Sequence, residues 1–370
     1  MGPLRIAVAL PHLGVYGGIR RFLELGNEWT LRGHEVSLLL PAGARAREPW
    51  IPFRGRVGAL TESDVRAADV LLSPDPALFL TQRPRGVLRV FYSVLEGAPR
   101  ERDAARHAHL VLANSAGLAR YWRRRGVQVV AAPGGVNLAM FRPPVPDPRP
   151  EKARSGAVVS ALVYGRLSRR RKGTWIAARA VEAAAESTGV PVTLTLFDAS
   201  PLPEPDGGPT ATATAAPEPA SGPSRTDLPR PLAIPHRWVH GPTQEELADL
   251  YAEADLFVSA ERRAGWSNTA AEAMACGAAV VCTRSGTEDF ARDGDTALVC
   301  RHAWSWRLSR KVARMLRDPR LRLAVAARGR GGIVEFAWSR AAERIEAAIA
   351  ARLSAPAPQG EEREARRAAV

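Results

Sequence analysis

The chain has 370 residues, 46% hydrophobic and 24% charged, a balance that excludes a disordered or fibrous protein and suits two ordinary domains better than one core. No apolar run reaches the roughly 18 residues needed to span a bilayer, and the N-terminal MGPLRIAVALP lacks the apolar length and cleavage site of a secretory signal, so a cytoplasmic protein is expected. The formal charge of +14 is almost all arginine, since lysine occurs only at Lys152, Lys172 and Lys311; no aromatic residues interleave with the arginine runs at 123–125 and 169–171, which argues against a nucleic-acid groove.

Arg5 to Leu10 (RIAVAL) reads as a buried parallel strand, followed by an amphipathic helix over Ile19 to Arg32 with Phe22, Leu23, Leu25 and Trp29 on or near one face. RGHEVSLLLP predicts a stop at Gly33 and a strand at 35–40; further strands are predicted at 69–72, 87–93, 110–113 and 127–131, with a helix at 116–125. Alternating strands and helices imply a parallel sheet covered on both faces. The proline-rich FRPPVPDPRP (141–150) reads as an interdomain linker. The pattern then restarts with a strand at 157–165, a helix from about 174 to 188 and a strand at 190–197.

Residues 200–232, rich in Pro, Ala, Thr and Gly, have too little apolar surface to order themselves and read as a disordered surface insertion, with a lid as the alternative. RWVHG, a helix at about 243–253, the strands LFVSA (256–260) and AAVVCT (278–283), and helices to about 352 follow, before a frayed tail. Cys276, Cys282 and Cys300 lack CxxC spacing and sit in or beside apolar segments, so buried free thiols are expected. The reading is therefore of two doubly wound α/β domains facing a cleft.

Ligands of such sheets lie beyond the carboxyl ends of the strands. In PHLGVYGGIRRF (11–22), Gly14, Gly17 and Gly18 follow a strand and open a helix, where backbone can approach a phosphate or sugar; the spacing is not that of a dinucleotide fingerprint, and a tight turn would also select glycines. In YGRLSRRRKG (164–173), Arg166 follows a strand and Lys172 precedes a helix, so both could reach one diphosphate; a loop of solvated charges is the alternative. In AGWSNTAAEAMACG (264–277), Glu272 lies among small apolar residues of a helix capped at Ser267 or Asn268. A carboxylate so buried needs donors, and two vicinal ribose hydroxyls would serve; a solvent-facing helix former is the alternative.

Together these motifs resemble the retaining GT-B glycosyltransferases of family 4, the glycosyl transferases group 1. The resemblance is carried by GVYGG, RGHEV, ANSAGLARY, PGGVNLAMFRP, GRLSRRRKG, EAMACGAAVV, GTEDFARDGDTALV and FAWSRAAERIEAAI, the last like the family's terminal helix that crosses back to the first domain. It implies an acceptor-side domain over 1–150, a donor-binding domain over 151–335, a cross-over helix over 336–353 and a tail over 354–370. It assigns Arg166 and Lys172 to the donor diphosphate and Glu272 to the ribose. Gly17 and Gly18 would face the phosphates or transferred sugar, and Gly265, Trp266 and Ser267 would line the donor site. Ser285, Gly286 and Thr287 fall where the family has a glycine-rich donor loop, with Asp289 near its usual acidic residue.

Two departures stand out. The family's first Glu, a contact to the transferred sugar, would fall at position 264, where this chain has Ala264. Glu261 could replace it, though Arg262 and Arg263 offer that carboxylate a simpler partner. The first domain also lacks the family's sugar-contacting His in RVFYSVLEGAP (89–99); His107 and His109 read as structural, and Tyr92 and Glu96 as candidates for the acceptor side. The resemblance implies transfer with retention, no protein base, no metal, and no cofactor beyond the nucleotide-sugar substrate. Its acceptor would be a glycan, a lipid-linked sugar or a small molecule, and the basic excess suggests peripheral association with an anionic membrane face. The rival readings are a sugar-nucleotide epimerase or phosphorylase, a non-catalytic nucleotide or glycan binder made credible by Ala264, and a basic nucleic-acid binder.

Overall fold

The computed structural model describes residues 2–15, 17–44, 48–94, 97–167, 169–198 and 228–355. In the first half the order is β1 (Arg5–Ala9), α1 (Gly17–Leu31), β2 (Glu35–Leu40), β3 (Arg56–Ala59), α2 (Glu62–Ala67), β4 (Val70–Ser73), α3 (Pro76–Thr81), β5 (Leu88–Ser93), α4 (Glu101–Arg106), β6 (Leu110–Ala113), α5 (Ala116–Arg123) and β7 (Val130–Ala131). The strands form one parallel sheet in the order β3-β2-β1-β4-β5-β6-β7. Alternation along each strand explains the two covered faces. Ile6, Val8, Val70, Leu72, Val90 and Tyr92 enter one apolar cluster, whereas Ala7, Ala9, Leu39 and Leu71 enter another on the opposite face.

The second half runs α6 (Arg149–Ser155), β8 (Val159–Tyr164), α7 (Thr174–Thr188), β9 (Val192–Asp198), β10 (His236–His240), α8 (Gln244–Glu253), β11 (Leu256–Ser259), α9 (Asn268–Ala275), β12 (Ala279–Thr283), β13 (Leu298–Cys300), α10 (Ser305–Arg317), α11 (Pro319–Ile333) and α12 (Trp338–Ser354). Its parallel sheet has the order β10-β9-β8-β11-β12-β13. Val163, Val258 and Val281 face one core and Leu162, Phe257 and Val280 the other. The last helix, α12, returns to the first sheet, where Trp338, Ala341, Ile345 and Ile349 join the cluster of Ile6 and Val8. Arg32 of the first half pairs with Glu346 there at 2.7 Å.

Expected and observed elements differ in instructive places. The expected strand at 127–131 is only Val130–Ala131, the part that reaches β6. The short elements β3, α2, α3 and β13 are not expected from the sequence, because three to six residues carry too few positions to display a hydrophobic period. The segment 141–150 is no free linker. Phe141 is buried edge-on to Tyr251 at 5.8 Å, and the Arg149 side chain donates to the Cys276 carbonyl at 2.8 Å. Of the supposed disordered insertion, 200–227 lie outside the described residues, as do Glu96 and 356–370. Leu228 and Leu232, by contrast, pack into the second core, which removes 228–232 from that insertion. The three cysteines are buried free thiols, and burial holds those of Cys276 and Cys282 up at about 12.

Candidate functional site

Each sheet changes direction of growth once, between β1 and β4 in the first and between β8 and β11 in the second. Loops diverge at such a point and leave a crevice at the carboxyl edge. In the second sheet that crevice is bounded by the loop after β8, which carries Arg166 and Lys172, and by the loop after β11, which carries Glu261 to Ser267 and leads into α9.

Gly173 brings these two loops together. Its φ is +64°, and a Cβ there would lie 2.2 Å from the Ala260 carbonyl, so a glycine is required by both conformation and space. The Arg262 N–H donates to the Arg171 carbonyl at 2.7 Å. This junction sets the Lys172 ammonium against the Glu261 carboxylate. A partner of Glu261 is thus Lys172, from the loop after β8. Glu261 is 3% exposed, whereas the Lys172 side chain keeps 23% of its surface open to solvent. Lys172 also lies 5.5 Å from the centre of the Tyr164 ring. Arg166, half-buried, hydrogen-bonds to Tyr164. The two basic residues therefore meet around one tyrosine.

Glu272 sits inside α9, 4% exposed, so it is no solvent-facing helix former. Its Oε2 accepts from the Tyr251 hydroxyl at 3.1 Å. Burial, then the Glu272 charge, pushes that phenol well above its ordinary value, which keeps it a donor. Oε1 lies 3.6 Å from Nε of Arg20, a residue of α1 in the first half. Arg20 was missed from sequence. It is buried between the Trp50 and Phe141 rings, at 5.0 and 5.5 Å, hydrogen-bonds to Gln244, and lies 3.9 Å from Glu24. Burial raises the Glu24 carboxyl above the usual range, with Arg20 opposing. The available signal was an Arg and a Glu four apart in a helix whose residues 19–26 are all buried.

The remaining expected site residues gather at the contact between the halves. A Cβ on Gly17 would lie 2.6 Å from Asn268 Nδ2, which donates to the Gly17 carbonyl at 3.3 Å; Gly18 faces open space. Gly265 presses on the first sheet's edge, where a Cβ would come 2.2 Å from the Val94 carbonyl. Trp266 packs against Phe290 and Phe336 with ring centres at 4.9 and 5.4 Å, forming a wall of the junction. Ser267 occupies the N-cap position of α9 without a capping hydrogen bond from its side chain. The Ala264 N–H donates to Ser285 Oγ at 2.9 Å, and the Ser267 N–H to the Gly286 carbonyl at 2.8 Å. Gly286, with φ +75°, would bring a Cβ 2.6 Å from the Ala264 methyl, so the loop has closed around a small residue. Thr287 is turned inward, its hydroxyl donating to the Thr283 carbonyl at 2.8 Å.

Asp289 accepts from the Ala116 N–H at the start of α5 at 3.0 Å, and Glu288 pairs with Arg120 of that helix. Burial raises the Asp289 carboxyl, with the Ala116 N–H opposing. Tyr92, expected to face the acceptor, is fully buried and donates to the Ala132 carbonyl at 2.6 Å. His107 caps α4, and His109 Nδ1 accepts from the Arg89 N–H at 3.0 Å, both structural positions.

Residues 219–318 match the family model described as glycosyl transferases group 1, a stretch that holds Glu261, Glu272 and the 285–289 loop. No curated protein sequence matches the chain. Among solved structures, a sucrose-phosphate synthase from Thermosynechococcus elongatus is similar with a TM-score of 0.71 at 18% identity, covering 95% of this chain and 100% of that one. A glycosyltransferase from Rickettsia africae is similar at 0.71 and 14%, covering 96% and 100%. Anabaena HepE, solved in complex with UDP-glucose, is similar at 0.67 and 14%, covering 94% and 100%. At these identities the likeness establishes the fold, the GT-B arrangement of two Rossmann-like halves with a returning C-terminal helix.

Proposed function

We propose that the protein transfers a sugar from a nucleotide-sugar donor to an acceptor with retention of anomeric configuration, without a metal or a further cofactor. One observation carries this reading: Arg166, Lys172 and the helix bearing Glu272 converge at the switch point of the second sheet, where an anionic ligand of such a fold belongs. The matched family segment and the UDP-glucose bound to a protein of like fold support it.

In this reading Arg166 and Lys172 bind the diphosphate and stabilise the charge that grows on the leaving β-phosphate, the electrostatic role a divalent cation would otherwise fill. The leaving phosphate takes the acceptor proton on the face where the anomeric bond breaks, so catalysis is positioning plus charge stabilisation. Glu272 binds the ribose hydroxyls through Oε1 after Arg20 withdraws, while Tyr251 stays on Oε2. Ala264 favours a second reading, a module that binds donor without transferring it.

Calorimetry with a panel of nucleoside diphosphates and nucleotide sugars tests both. One nucleotide should bind. Glu272→Gln keeps the Tyr251 contact and should weaken that binding, and Arg166→Ala should lose about 1.5–3 kcal/mol, roughly 10- to 100-fold. Failure of every nucleotide to bind, or unchanged affinity in Glu272→Gln, would reject the site. Binding without turnover or donor hydrolysis would select the module, and loss of turnover in chelator would end metal independence.

A further inference from the structure

Outside the cleft, the second half carries a surface on which exposed indoles adjoin a row of arginines. Trp304 and Trp306 are 54% and 49% exposed, although indole is among the side chains that gain most from leaving water. They precede and open α10, immediately beyond the carboxyl end of β13. Their ring centres are 6.1 Å apart at 56°, and the Arg307 guanidinium lies over both, 5.4 and 4.9 Å away. The solvent side of α10 continues as Arg307, Arg310, Arg314 and Arg317, spaced three, four and three residues apart and all exposed. Its opposite side, Leu308, Val312, Met315 and Leu316, is spent on the core. The neighbouring carboxylate Asp293 is held by Lys311 at 2.6 Å, and none of the ion pairs among the described residues includes Arg307, Arg310 or Arg314.

We propose that this face docks on an anionic lipid bilayer, with Trp304 and Trp306 entering the headgroup layer and the arginine row facing the acidic headgroups. A row of cations is drawn to an anionic membrane face, and indoles settle where an apolar body and a polar edge meet. Single-stranded nucleic acid is the other polyanion that pairs arginine with aromatics, but stacked bases need open, slot-like ring faces. Here the two rings form a wedge already shared by Arg307. Among the described residues no helix is long and apolar enough to cross a membrane, so the attachment is peripheral. The wedge follows β13 as Glu261 follows β11 and Arg166 follows β8. In a wholly parallel sheet these positions share one edge, so docking would bring the bilayer to the edge that carries the candidate donor site. The surface itself is independent of the transferase reading.

The test is flotation of the full chain with vesicles of phosphatidylcholine alone or of phosphatidylcholine with phosphatidylglycerol, at low and high salt. The wild type should float with the acidic vesicles only, and high salt should release it. Trp304→Ala/Trp306→Ala and Arg310→Gln/Arg314→Gln should each weaken flotation at least tenfold with unchanged melting temperature, since all four side chains face water. No flotation, equal flotation with neutral vesicles, or flotation untouched by both variants overturns the proposal. So does loss of single-stranded oligonucleotide binding in those variants without vesicle binding in the parent, which would reassign the face to nucleic acid. Nucleotide calorimetry on the same variants should be unchanged, which separates failure of this surface from failure of the donor site.

Discussion

The carboxyl edges of the two sheets face each other yet differ in chemistry. The second offers charge: Arg166, the Lys172–Glu261 pair, and Glu272 at the root of α9. The first offers mostly neutral groups. Ser93 and Asn114, beyond or at the ends of β5 and β6, are 2% and 4% exposed, and Ser93 Oγ and Asn114 Oδ1 find no protein partner. His12 after β1 has its pKa lowered by burial, against the pull of Asp75, which favours the neutral ring. The difference suits one edge to an anion whose charge must be stabilised and the other to a partner recognised by shape and neutral hydrogen bonds. Arg20 breaks the division, a cation of the first half seated on the carboxylate of the second.

Variants can break this contrast in order of expected effect. Lys172→Met leaves Glu261 buried without its cation and should cost about 3 kcal/mol of stability, the low end for a broken buried pair because Lys172 is partly exposed. Adding Glu261→Gln should restore most of it in denaturant unfolding; a double variant no more stable than the single would show that the pair does not govern the crevice. Next is the Arg20 contact. Arg20→Leu should lower the melting temperature but tighten nucleotide binding by a factor on the order of 5, because ribose no longer competes with a guanidinium for Glu272. Weaker binding would make Arg20 a ligand of the donor in its own right.

The smallest effect lies at the junction with α5. A carboxyl whose folded pKa is raised favours the fold most below its unfolded pKa, and that contribution is lost as pH rises through the folded value. Asp289, raised by burial, is such a group. Asp289→Asn keeps an acceptor for the Ala116 N–H and abolishes the ionisation. Its melting temperature relative to the parent should therefore climb as pH goes from about 4 to neutrality. A difference flat with pH would remove Asp289 from the linkage.

Much of this was legible in the chain. Strands such as RIAVAL and the blocks of alternation on either side of residue 150 predicted two parallel sheets, YGRLSRRRKG put Arg166 after a strand and Lys172 before a helix, and AEAMACG put Glu272 within a helix, where the structure has them. The short elements α2 and α3 carried caps, Thr61 and Asp75, but too few residues to show a period. Local pattern determined which residues are buried and at which edge they emerge, because the strand and helix periods act over a few neighbours. Partnership was decided by the tertiary structure alone. Glu261 beside Lys172 and Glu272 beside Arg20 join residues from different loops and different halves. A carboxylate withdrawn from water must take whichever donor the packing brings within reach, and nothing in its own stretch of sequence names that donor.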